Sequence, residues 1–246
     1  MKNFPEVSME HRLRHPFWPV KTGHAPAFGL SQQWSSRPAM RGWGCGPAAA
    51  LMVLGYLFLH HPDGFSLPLE ALPPEPTKED CALLLDTVGR RCFPILPRFG
   101  MNGLSLAFCL NRYFRRYRMP FHAAWCCRRE KALSRMRQML DNDIPVIFSV
   151  GPDFPLLWQK HPLPLFASPE TGKPCASVRA HYMVTTGMDQ GWLELSSWGR
   201  RYFLPLADWR EHHRHHSGHL VDGIVYIRRK ERRTGLLTAG KVKTNG

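Results

Sequence analysis

The chain has no CxxC pair, and its seven cysteines (Cys45, Cys81, Cys92, Cys109, Cys126, Cys127 and Cys175) follow no regular spacing. The first absence excludes a cysteine-rich zinc module and the second a disulfide framework. No low-complexity block interrupts the 246 residues, and aromatics are plentiful, which excludes a compositionally disordered chain. The opening "MKNFPEVSMEHRLRHPFW" lacks the apolar h-region of a secretion signal. The longest apolar run, residues 48–59, is too short to span a bilayer. These absences predict a soluble, cytoplasmic protein with reduced thiols and no membrane span. Acidic residues are also scarce: 33 Lys and Arg face 19 Asp and Glu, for a net charge of +14. That balance permits an acidic peptide, nucleic-acid or membrane-surface partner and demands none.

What is present suits one sizeable domain, with 43% hydrophobic and 21% charged residues. Residues 1–30 read as an irregular arm anchored by Phe17, Trp18 and Phe28, residues 31–228 as the main domain, and residues 229–246 as a basic, flexible tail. Residues 47–59 read as a helix with Pro47 at its first position. Its apolar circumference predicts a central, buried helix packed on strands near 144–150 and 181–188. After a Pro-rich loop, Thr77 or Asp80 caps a helix through "CALLLDTVGR". A turn at Asn102-Gly103 precedes a helix over 104–117, with Leu106, Leu110, Tyr113 and Tyr117 at helical spacing.

From residue 121 the period changes. "FHAAWCC" reads as a strand, with Cys126 and Cys127 facing opposite sides, "REKALSRMRQMLDND" as an amphipathic helix and "IPVIFSVG" as a buried strand. Residues 152–179 read as a long Pro-dense loop of the size that forms a lid. "HYMVTTGM" and "WLELSSW" flank a turn at "DQG" as a β-hairpin, and a strand with a short helix and a last strand, "VDGIVYIRR", follow. Helices first and strands later predict an α+β fold.

One stretch carries chemistry. In "GWGCGPAAA" a thiol stands between two glycines at the start of the central helix. A helix N-terminus favours negative charge, and the thiolate is the nucleophilic form of cysteine. Gly44 and Gly46 remove side chains that would hinder a substrate carbonyl, and the Cys45 N–H lies near a developing oxyanion. A thiolate needs a base, and His181, at the start of "HYMVTTGM", is the candidate. Helix start and imidazole together predict a Cys45–His181 ion pair near neutral pH.

These motifs, "GWGCGPAAALMVLGYL" and "HYMVTTGMDQGWLELSSWG", with the "PVI" strand and "GMNGLSLAFCLNRYF" between them, resemble the papain-like cysteine peptidase superfamily. They are most similar to its bacterial branch related to bacteriocin-leader peptidases, family thirty-nine of the cysteine peptidases, over roughly residues 40–228. The resemblance implies a two-lobed papain-like fold, with Cys45 on a helical lobe and His181 on a sheet lobe. It implies a thiol peptidase or amidase acting on a peptide or protein substrate without a cofactor. Cys45 attacks, His181 carries the proton, and Ser196 orients the ring. Trp43 and Trp198 line the cleft with the loop 152–179, and Trp198 shields the histidine.

Two positions depart from that pattern. Ser196 stands where the family's "NSWG" has Asn, so Ser196→Asn is expected to keep or raise activity. Apolar Ala39 stands where the family has its oxyanion glutamine, leaving Gln32 and Gln33, further upstream, as the candidates. The same departures suit an acyl-transferring relative, or a binding module of this fold with weak or no catalysis. Two further clusters read as surface. "EHHRHHSGHL" offers five histidines but no accompanying ligand spacing beyond Glu211, so an exposed polar segment and no metal site are expected. Arg112, Arg115, Arg116 and Arg118 in "NRYFRRYR" read as a solvated helix face, and no nucleic-acid-binding motif accompanies them.

Overall fold

The structure, a computed structural model, describes residues 9–23, 25–61, 73, 75–96, 98–217 and 221–230. The first eight residues of the arm, most of the Pro-rich loop after His61, His219 and the basic tail beyond residue 230 lie outside the described residues. The elements in chain order are β1 (His11–Arg12), β2 (Pro19–Val20), β3 (Ala27–Phe28), α1 (Pro38–Trp43), α2 (Cys45–His60), α3 (Lys78–Leu84), α4 (Arg90–Cys92), α5 (Gly103–Arg116), β4 (Phe121–Cys126), α6 (Arg129–Asp141), β5 (Val146–Val150), β6 (Leu163–Leu165), β7 (Ala176–Val178), β8 (His181–Met188), β9 (Trp192–Ser197), β10 (Arg200–Pro205), α7 (Leu206–His212) and β11 (Gly223–Arg229). Helices and an antiparallel sheet share one core, so the class is α+β.

Helix α2 is buried from Gly46 through Leu57. A helix apolar on every side has no face to give to water, and α2 packs on β8 and β5, as expected. It starts two residues earlier than predicted, so Pro47 is its third residue. The missing N–H still costs nothing there, because the first four N–H groups of a helix have no internal partner. Thr77 and Asp80 together form the capping box of α3, each side chain accepting from the other's backbone N–H. Asn102 caps α5 by accepting from the Ser105 N–H at 2.8 Å rather than forming a separate turn. The four arginines around the end of α5 are exposed and Tyr113 is buried, as its spacing predicts.

The main sheet runs β10-β9-β8-β5-β11-β4, with β1 pairing β8 beyond the end of β5. All these pairs are antiparallel. The arm is therefore not wholly irregular: His11 and Arg12 join the sheet, and Phe17 and Trp18 are buried in the core. The segment 152–179 is not one open loop either. Its β6 and β7 pair, Leu163, Leu165 and Val178 are buried, and Phe166 bridges to Phe203 of β10. Apolar residues alternate within it, and that short pattern was hidden among prolines. Leu157 and Trp158 remain exposed.

One irregularity sets the site. Between β8 and β9, Thr185 pairs Leu195 but Gly187 pairs Glu194, so Thr186 is an extra, bulged residue. Thr186 donates to the buried Glu194 carboxylate at 2.8 Å, and Arg12 of β1 lies 3.3 Å from that carboxylate. The buried charge is thereby paired, and the bulge is pinned in place.

Candidate active site

Cys45 opens α2 directly behind α1, with Gly44 ending one helix and capping the next. The Gly44 N–H donates to the Met40 carbonyl at 2.8 Å, and a Cβ at Gly44 would lie 2.3 Å from that same oxygen. No other residue fits so tight a joint. The local backbone thus requires glycine at position 44. At Gly46 a Cβ would meet Met101 and Tyr182 only at 3.6 Å, ordinary contact.

Backbone N–H groups of Tyr182, Gly46 and Cys45 itself face the Cys45 sulfur. Tyr182 follows His181, so the thiol lies against the first residues of β8. No hydrogen bond joins the sulfur to the His181 ring. Burial pushes the thiol pKa up, with the three N–H groups opposing it. Burial also lowers His181 to about 4. Desolvation disfavours both charged forms. Burial thus favours a neutral thiol and a neutral imidazole over the expected ion pair.

His181 is held from two sides. Its Nε2 lies 2.7 Å from Ser197 Oγ, and its ring stacks on Trp198 with centroids 4.5 Å apart and planes 22° from parallel. Trp198 and Gly199 both take positive φ, 50° and 74°, and Ser197 pairs Arg200, as in a two-residue hairpin turn of the primed type. A non-glycine residue in that region costs about 1–2 kcal/mol. Stacking on His181 and an edge contact with Tyr202, centroids 5.8 Å apart, offset it. Ala180, immediately before His181, also has positive φ, 49°.

Ser196 is not the orienter. Its Oγ donates to the Phe28 carbonyl at 2.7 Å and lies 3.5 Å from Met52 Sδ of α2. The bulge explains why. Val184 pairs Ser196, so these two share a face, and one step along the same register places Ser197 on the face of Met183 and His181. Continued without the bulge, the Gly187–Glu194 register would pair Thr185 with Ser196 and so put Ser196 on the face of His181. Ser197 was therefore legible only to a reading that located the bulge, and the Thr186/Glu194 contact that fixes it links two strands.

Gln32 and Gln33 fold back on α1. Both amides donate to the Arg41 carbonyl, at 2.8 and 3.1 Å. Each amide nitrogen keeps a second N–H. Ser31 caps the short 3-10 turn that presents them. Trp43 is half-buried at the end of α1, where its carbonyl faces Gly100. A cavity of about 890 Å³ lined by His61, His122, Arg135, Tyr226 and Lys230 contains none of these residues. In comparisons with known families and proteins, no family model matches the chain, and neither does any curated protein.

Proposed function

We propose that this protein is a papain-like thiol hydrolase that cleaves a peptide or other amide through Cys45 and His181. In this reading α1, α2 and α5 form the helical lobe and the main sheet forms the other. The observation that carries it is the constraint on His181. A buried, neutral imidazole has one nitrogen fixed by Ser197 and one face covered by Trp198, and the next residue's N–H faces the thiol. A core histidine needs no such orientation; a general base does.

The chemistry follows from the neutral resting pair. His181 Nδ1 takes the Cys45 proton as the sulfur attacks the carbonyl carbon, so charge appears only with bond formation. The oxyanion receives hydrogen bonds from the Cys45 N–H and a free amide N–H of Gln33 or Gln32. The imidazolium then protonates the departing amine, leaving an acyl thioester on Cys45. His181 next removes a proton from water, which attacks the thioester, and the thiol leaves with that proton. If an amine replaces water, the same steps transfer the acyl group. Ser197 positions the ring throughout. A second reading, a non-catalytic binding module, is favoured by the lack of a hydrogen bond between sulfur and imidazole. Acyl-probe labelling separates the two: acylation of Cys45 that depends on His181 supports the enzyme, and its absence supports the binding module.

A further inference from the structure

From the side chains gathered where the segment after β5 meets the end of α7, we infer a binding site for one divalent transition-metal ion of the zinc type. Its protein ligands are Asp153, His161 and His216. One ligand atom from each of the three lies within 4.8 Å of the other two. Asp153 is buried and His216 half-buried, while His161 reaches in from the exposed side. The Asp153 and His161 side chains meet at 2.6 Å, and the His161 and His216 rings stack with centroids 3.8 Å apart. Imidazole with carboxylate is the donor set of zinc and its neighbours rather than of calcium or magnesium. The site is independent of the thiol reading.

A second observation points the same way. His212, only 2% exposed, stands with its ring centroid 5.8 Å from that of His216 and has neither ring nitrogen hydrogen-bonded. Its Nδ1 lies 3.5 Å from Asp222 Oδ2, an oxygen that is also buried without a hydrogen bond. Uncompensated polar atoms of this kind are rare in a folded core. A positive ion beside His216 gives the buried Asp222 carboxylate a favourable field.

The surroundings are those of a ligand set. Arg179 holds Asp153 Oδ2 at 2.7 Å, the type of outer hydrogen bond that fixes a ligating carboxylate. The expectation of an exposed histidine segment thus fails for His212, the buried last residue of α7, and for His213 directly after it. Asp153 and His161 lie far back in the sequence, so no local spacing could show the set.

The test is zinc titration of the full chain carrying Cys45→Ser, which removes the active-site thiol as a competing ligand. Calorimetry gives stoichiometry and affinity, and cobalt substitution gives visible ligand-field bands. One ion per chain is expected, with affinity falling as the pH is lowered. In the same background, His161→Gln with His216→Gln should weaken binding by at least about 100-fold. His215→Gln, an exposed neighbour, should leave it unchanged. No stoichiometric binding, or binding equally tight in the double variant, overturns the proposal. Circular dichroism of each variant separates loss of ligands from loss of fold.

Discussion

Ser197 Oγ stands 2.7 Å from the buried Nε2 of His181, while the adjacent Ser196 points the other way, to the Phe28 carbonyl. Ser197→Ala should therefore slow acylation of Cys45 by about fivefold, the rate equivalent of one hydrogen bond of about 1 kcal/mol. Ser196→Asn should bring no gain, contrary to the pattern the resemblance implies. The Ser196 oxygen lies 2.5 Å from where a Cβ on Gly29 would sit, so this pocket has no room for a larger side chain. Overpacking of that kind costs about 1–3 kcal/mol. Urea unfolding of both variants, with acylation rates, checks the pair.

Trp198→Gly isolates the ring from the turn. Glycine accepts the positive φ of 50° without strain, so the backbone gain and the lost stacking nearly cancel. The apolar burial lost with the indole is left uncompensated, so stability should fall by about 1–2 kcal/mol. The His181 ring then becomes hydrated, and its pKa should rise from about 4 toward the ordinary 6.5. An NMR titration of the imidazole reads this directly, and an unmoved pKa would refute shielding by Trp198.

The reach of the sequence differed by element. The capping pair Thr77–Asp80, the apolar circumference of α2 and the "DQG" turn between β8 and β9 are local signals, and the structure follows them. The orienting serine depended on parity across the hairpin, and parity turned on Thr186, whose side-chain partner Glu194 lies on the next strand. The neutral state of Cys45 and His181 depended on burial, which no motif records. The pairing of β6 with β7 was masked by Pro164 in the middle of β6 and by Pro162 just before it.

Acid should destabilise the protein partly through His181. Its folded pKa is about 4 and its ordinary value 6.5. Between those values the unfolded chain binds a proton that the native ring does not. Stability therefore falls as the pH drops from about 6.5 to 4, and this contribution is exhausted below the folded pKa. The full effect is about 3 kcal/mol. Urea unfolding of the natural chain and His181→Gln should show a stability gap that shrinks by about that amount between pH 7 and pH 4. An equal gap at both pH values would mean the ring is not held neutral.

The coupling of Cys45 to His181 is tested most directly by acylation with p-nitrophenyl acetate at neutral pH, mapped by mass spectrometry. The expected result is one acetyl group per chain, carried by Cys45, with its formation largely lost in His181→Gln although the variant stays folded and its thiol remains titratable after unfolding. Acetylation of Cys45 at the same rate in His181→Gln, or label spread without preference over the seven cysteines, would contradict a catalytic pair.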